Sequence, residues 1–152
     1  MRTLARPGNA HEIRRRLAAV TPENLPQWGR MSAHQMICHL GDGLRMMIGE
    51  KSVRQITGAL TGTVARWIAL RGPRRWPRGI RTTPELDQEI GGTRPVEFTS
   101  DLARALDLLE RVTREPSAAH RRLHPIFGRM SEGAWLRWAY LHADHHLRQF
   151  GV

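Results

Sequence analysis

The sequence predicts an all-α fold, a four-helix bundle formed by a single domain over residues 1–152. Apolar residues recur at helical intervals in four long segments, which is typical of helices that pack one face into a core. No segment alternates for long with the two-residue period of a strand. A stretch rich in glycine and proline separates the second of these segments from the third, so we expect a long crossover between the second and third main helices.

The first two predicted helices lie within the first fifty residues. Residues 9–20 place Ile13, Leu17 and Val20 at helical spacing. The second predicted helix begins after Ser32, which can form a capping box with Gln35 three residues later. Its apolar stripe predicts a buried face made of Met36, Leu40, Leu44 and Met47.

The crossover holds a weaker predicted helix and then an irregular segment. Residues 55–70 carry Val64, Trp67 and Ile68 at helical spacing, which indicates a short extra helix. Glycines and prolines interrupt residues 71–98 throughout. Loops of this length are usually functional or mobile.

The last two main helices close the bundle. Residues 99–115 regain helical periodicity through Leu102, Leu106, Leu109 and Val112, which we predict to face the core. A turn in "HPIFG" then precedes the last helix, for which Ser131 is the predicted N-cap. Its two tryptophans are expected to pack this helix into the core, and they are Trp135 and Trp138.

Cysteine content and hydropathy indicate where the protein is located. The single cysteine, Cys38, excludes an internal disulfide and suits a reducing interior. No apolar run approaches the roughly 18 residues that a membrane span needs. The N-terminal residues include no apolar core of a secretory signal. We therefore expect a cytoplasmic location and no membrane partner.

The net charge of +10 raises the question of nucleic-acid binding. The chain has 23 arginines and one lysine, spread along its whole length, and we interpret this skew mainly as GC-rich codon usage. Nucleic acid is therefore not the favoured partner. The alternative lies in the basic loop Arg71–Arg81, where phosphate clamping and base stacking would use Arg74, Arg75, Arg78 and Trp76. An exposed crossover loop explains the same residues, and the role of this loop stays open.

Histidines are the most informative residues in the chain. His142 and His146 are four apart on the last helix, so they project from one face and can present two nitrogens to one ion. His39, at the edge of the apolar stripe of the second helix, is the best candidate for a third ligand. The alternative is that each is a hydrogen-bonded structural histidine near the core.

Four further polar residues could support such a site. Asp42, three residues after His39, could orient that imidazole or be exposed to solvent. His145 could be a second-shell group or a surface residue. Gln149 could bond a ligand or the backbone nearby. His124 could line the pocket or fix the turn before the last helix, and the proline and glycine beside it favour the turn.

Other candidates are assigned to ordinary structure. On a helix, Cys38 points about 100° away from the adjacent His39. We therefore expect Cys38 to be a buried packing residue and not a fourth metal ligand. Three histidines have no partner at useful spacing and are predicted to lie on the surface, namely His11, His34 and His120.

"QMICHLGD" near the start and "HADHH" about a hundred residues later resemble the DinB/YfiT-like superfamily of four-helix metalloproteins. The ending "HPIFGRMSEGAWLRWAYLHADHHLRQFGV" and the segment from Trp28 to Asp42 are similar to an uncharacterised branch of it. The resemblance implies that zinc or nickel is held by His39, His142 and His146. It also implies that two bundles can pair as a homodimer.

The resemblance carries expectations about chemistry as well. Three imidazoles leave open positions on an ion, where a bound water or an incoming thiol could lose its proton. Relatives in the superfamily use low-molecular-weight thiols such as mycothiol or bacillithiol, which implies a metal-dependent thiol transferase acting on a small-molecule electrophile. The alternative is a non-catalytic metal-binding or stress-associated interaction protein.

Overall fold

The computed structural model describes residues 1–56, 59–71, 76–80, 82–116 and 123–152. The chain is mostly helical, as predicted. The helices are α1 (Pro7–Ala18), α2 (Ala33–Ile48), α3 (Ala59–Arg71), α4 (Phe98–Arg114) and α5 (Glu132–Gln149). A short 3-10 helix spans Pro84–Leu86, and strands β1 (Leu123–His124) and β2 (Gly128–Arg129) form a small antiparallel hairpin before α5. The sequence did not predict this hairpin, because two-residue strands show no periodicity.

Helix α2 lies at the centre of the fold. It packs against α4 and α5, and α1 packs against the same two helices. The predicted capping box is confirmed, since Ser32 Oγ accepts from the Gln35 backbone N–H at 3.1 Å and Gln35 Oε1 accepts from the Ser32 N–H at 2.8 Å. The helix ends at Gly49, whose φ of 83° is left-handed and suits glycine. The whole predicted stripe is buried, from Met36 to Met47.

Helix α4 presents a different face from the one predicted. Leu109 and Val112 are buried as expected, but Leu102 and Leu106 are only partly buried. The face toward the core also includes Asp101, Ala105 and Leu108. The reason is that the Asp101 carboxylate has partners on the inside of the fold, which rotates the helix relative to its leucine stripe.

Helix α3 contributes little to the core. It contacts α5 and β2 through one side, where Leu70 is buried and Ala65 and Ala69 are partly buried. The apolar residues that predicted this helix are about 60% exposed, and they are Val64, Trp67 and Ile68. None of the helices in the described part of the chain is long and apolar enough to cross a membrane.

Candidate metal centre

Three histidines meet where α2 crosses α5. His39 comes from α2, and His142 and His146 come from successive turns of α5. Their ligand nitrogens all lie within 4.8 Å of one another, which is close enough for them to hold a metal ion. The Nε2 atoms of His39 and His142 are 3.0 Å apart. The predicted convergence of two helices on one point is thus present in the structure.

His39 has a defined tautomer. Its side chain is buried, and its Nδ1 lies 2.8 Å from the backbone carbonyl of Leu86 in the 3-10 helix. A carbonyl oxygen can only accept, so Nδ1 carries the proton and the lone pair is on Nε2. The crossover segment therefore supplies the group that aims the His39 Nε2 lone pair at the other histidines. No sequence pattern indicated this role of Leu86, because a backbone carbonyl can come from any residue type.

His146 is oriented in the same way by Gln149. Gln149 Nε2 donates to the Trp28 backbone carbonyl at 2.6 Å, which identifies the amide nitrogen. The amide oxygen of Gln149 then accepts from His146 Nδ1 at 2.8 Å. His146 is left with its lone pair on Nε2. Both roles considered for Gln149 are present, since it bonds a candidate ligand and a backbone group.

His142 is positioned by packing. Its ring stacks on Trp138 with centroids 4.8 Å apart and an angle of 16° between the planes. Gly43 of α2 also lies against the ring, and a Cβ added there would be only 3.1 Å from His142 Cε1. Gly43 therefore leaves the space that the imidazole occupies. Sequence reasoning missed Gly43, although a glycine inside a helix often marks such a close approach.

Burial keeps these imidazoles neutral. It lowers the pKa of His39, and it lowers the pKa of His142 and His146 well below the usual value. Repulsion between neighbouring imidazolium charges adds to the shift for His142 and His146. Neutral imidazole is the form that coordinates a metal.

Asp42 does not occupy either of the positions considered for it. It is neither bonded to His39 nor exposed, and its side chain is fully buried. The carboxylate accepts from the Thr93 backbone N–H at 2.7 Å and the Thr93 hydroxyl at 2.6 Å, and Lys51 Nζ lies 3.3 Å away. Asp42 thus fastens the crossover to α2, and through the crossover it holds the Leu86 carbonyl against His39.

His145 lies beside the three histidines and borders a cavity of about 340 Å³. Its ring is half-buried and meets Trp28 and His146 edge to face. Its Nδ1 is buried and has no hydrogen-bond partner among the described residues. The cavity is also lined by Trp76, Arg78 and Arg148. His145 therefore faces a space next to the centre and is not a simple surface residue.

The nucleic-acid hypothesis concerned the basic loop Arg71–Arg81, and the described residues of this loop contact other parts of the protein. Arg74 and Arg75 lie outside the described residues. Trp76 is partly buried and donates its indole N–H to the Ala69 carbonyl at 2.9 Å, and its ring lies 6.4 Å from that of His142. The guanidinium of Arg78 sits 4.3 Å above the Trp28 ring. The described part of the loop thus packs at the cavity beside the histidines.

His124 fixes the turn before α5, which was the favoured interpretation. Its Nδ1 accepts from the backbone N–H groups of Ile126 and Phe127 at 3.1 and 3.2 Å. Its ring stacks on Phe127 and meets the edge of Trp138, so it lies behind the tryptophan that supports the centre. Burial lowers the pKa of His124 to about 3.

His34 was wrongly assigned to the surface. Its Nε2 lies 2.8 Å from Asp101 Oδ2, and its ring packs on Phe98 edge to face. Cys38 is buried, as predicted, and lies near both; burial and the Asp101 charge raise the pKa of its thiol to about 12. Sequence spacing could not reveal the pairing, because Asp101 is 67 residues from His34. His11 is exposed, as expected, and His120 lies outside the described residues.

Comparison with known protein families assigns nearly the whole chain. The family described as Protein of unknown function (DUF1569) matches residues 6–151. The chain belongs to that family. No curated protein and no solved structure matches it. The DUF1569 description carries no activity, so the chemistry must be argued from the site.

Proposed function

We propose that this protein binds a divalent metal ion, zinc or nickel, through the Nε2 atoms of His39, His142 and His146. The proposal rests above all on the tautomers. The Leu86 carbonyl and the Gln149 amide oxygen accept hydrogen bonds from Nδ1 of His39 and His146, which leaves both lone pairs on Nε2. A buried structural histidine is also hydrogen-bonded, but here the ligand nitrogens of three histidines lie within 4.8 Å of one another as well.

The donor set fits a divalent ion. Imidazole ligands lie about 2.0–2.1 Å from zinc, so two of them in a tetrahedral shell are roughly 3.3 Å apart. The 3.0 Å between the Nε2 atoms of His39 and His142 is near that value. The burial of His39 and the partial burial of His142 and His146 lower the pKa of all three rings, and neutral imidazole is the ligand form.

We further propose that the centre belongs to an enzyme of thiol-transferase type that acts on a small-molecule electrophile. An ion with three protein ligands keeps an open position, where it would act as a Lewis acid and favour the deprotonated form of a thiol. No aspartate or glutamate side chain is among the described residues that line the adjacent cavity, and His145 is the titratable group there. The use of thiols in the superfamily that the sequence resembles supports thiol transfer over water activation.

The adjacent cavity supports a small anionic substrate. Trp28 and Trp76 give it flat apolar walls, and Arg78 and Arg148 give it positive charge. His145 is partly buried and contacts His146, so it adds a polar group between this cavity and the three histidines. A flat or unsaturated group would rest on the tryptophans while a carboxylate paired with an arginine.

We also propose that α1, α2, α4 and α5 form a four-helix bundle of the DinB-like type.

Metal content tests the proposed ligands. Replacement of His142 by alanine should remove about one equivalent of bound divalent ion, measured by elemental analysis of protein purified without chelators. His11→Ala is the matched control, because His11 is exposed on α1 and should not affect the content. Circular dichroism should show that both variants fold. Full metal retention by a folded His142→Ala variant would exclude this assignment.

Thiol access separates the enzyme from a non-catalytic metal-binding protein. The test uses cobalt-loaded Cys38→Ser protein, because the chain has no other cysteine and a sulfur band must then come from an added thiol. A small thiol should produce a sulfur-to-cobalt charge-transfer band, and the band should be missing in a His146→Ala version of the same protein. Turnover would then be sought by screening electrophiles. A cobalt spectrum that responds to no thiol and no anion would favour the closed, non-catalytic alternative.

A further inference from the structure

A second set of metal-binding side chains lies between α2 and α4. His34 and Cys38 are four residues apart on α2, so they project from the same face. Asp101, in the first turn of α4, faces them. One nitrogen, one sulfur and one oxygen from these residues all lie within 4.8 Å of one another. The cluster is separate from the first centre, because Cys38 points about 100° away from the adjacent His39 around α2.

The surroundings hold the cluster in place. Cys38 and Asp101 are buried, with 5% and 6% of their surface exposed. The Asp101 carboxylate accepts from the Val96 N–H at 3.0 Å and from Arg104 at 3.1 Å, and these bonds fix it before any ion binds. Such preorganisation lowers the cost of assembling a coordination shell. The carboxylate also accepts from His34 Nε2 at 2.8 Å, so a bound ion would replace the proton between these two groups.

An ion has a route to the cluster and room for a further ligand. Cys38 and Asp101 line a cavity of about 570 Å³ between α2 and α4. A fourth ligand such as water could come from this side, which would complete a tetrahedral shell.

Charge balance favours a divalent ion in this place. A thiolate and a carboxylate carry two negative charges and a neutral imidazole carries none, so a divalent cation balances the charge of its three ligands. The Arg104 guanidinium beside Asp101 adds one positive charge outside them. Binding would release the thiol proton to solvent. We propose that His34, Cys38 and Asp101 bind a second divalent cation of the zinc type. The ion would join α2 to α4 on the helix that also carries His39.

Cobalt spectroscopy tests this second site without any variant. Cys38 is the only cysteine in the chain, so a sulfur-to-cobalt charge-transfer band in wild-type protein without added thiol must come from it. We expect that band, expect zinc to remove it by competition, and expect a total of about two bound equivalents. Absence of the band at saturating cobalt would overturn the proposal.

Variants separate the two centres. His142→Ala should lose one equivalent and keep the band, whereas His34→Ala and Asp101→Asn should lose the band and keep the equivalent at the first centre. The result therefore does not depend on the proposed function. A band that survives both His34→Ala and Asp101→Asn would show that Cys38 binds cobalt with other partners, and it would contradict the site proposed here.

Discussion

In two of the three candidate ligands, the two nitrogens of the imidazole ring have different roles. In His39 and His146, Nδ1 donates to an oxygen of the protein and Nε2 faces the other histidines. The position of the proton on one nitrogen decides the availability of the other. Residues that never touch an ion therefore control its binding, and Gln149 is the one that a substitution can change most cleanly.

Gln149→Leu should weaken metal binding about 10- to 100-fold, because His146 Nδ1 loses its acceptor. Gln149→Glu is the comparison variant, since its carboxylate still accepts from His146. Its second oxygen would face the Trp28 carbonyl without a proton between them, so this variant should keep the metal affinity and lose folding stability. Competition with a coloured chelator would give the affinities. Equal losses in the two variants would mean that Gln149 acts by packing and not by orienting His146.

His124 makes stability depend on pH. Its folded pKa is about 3 and its ordinary value is 6.5, so between these values the unfolded chain binds a proton that the folded chain does not. Stability contributed by this group is full above about pH 6.5 and falls as the pH decreases toward 3, by at most about 1.4 kcal/mol per pH unit.

The measurement is urea unfolding of chelator-treated protein at several pH values. His124→Asn keeps a short acceptor for the turn but does not titrate, so its unfolding free energy should fall less steeply on acidification. The other buried histidines retain part of the slope. His11→Asn should behave like wild type. An unchanged slope in His124→Asn would show that the buried imidazole is not the source.

At the scale of elements, α2 depends on two glycines with different surroundings. A Cβ at Gly43 would lie 3.1 Å from His142 and 3.3 Å from Trp138, whereas a Cβ at Gly41 would lie an ordinary 3.8 Å from Leu108. Both substitutions to alanine raise helix propensity by up to about 1 kcal/mol. Only Gly43→Ala displaces a candidate ligand, which is His142.

Gly43→Ala should therefore weaken metal binding about tenfold, because a site must hold its ligands to within about half an ångström. Gly41→Ala should leave the affinity unchanged and the protein as stable or more stable. Calorimetric titration with zinc, together with thermal unfolding, measures both quantities. An affinity unchanged by Gly43→Ala would show that His142 can shift without cost and is not held by the contact with α2.

Local features of these elements could be predicted from the sequence. The capping box at Ser32, the buried stripe of α2 and the pair His142 and His146 all depend on residues within one or two turns. The face of α4 could not be predicted, because the inward position of Asp101 depends on His34 on another helix. A leucine stripe gives the average direction of burial and does not reveal a buried carboxylate.

At the scale of the whole molecule, the long crossover is part of the centre. Asp42 fastens it at Thr93, and the same segment delivers the Leu86 carbonyl to His39. From the sequence we expected only a long crossover, of a length that is usually functional or mobile. Its backbone groups bond side chains 47 and 51 residues away, and no sequence periodicity indicates such contacts.

Binding of one ion by three Nε2 atoms from α2 and α5 can be observed by diffraction. The measurement uses crystals grown with zinc and data collected at the zinc absorption edge. We predict an anomalous peak about 2.0–2.1 Å from Nε2 of His39, His142 and His146. Zinc-loaded crystals with no peak among these atoms, or with the ion bound to an Nδ1 instead, would contradict the account.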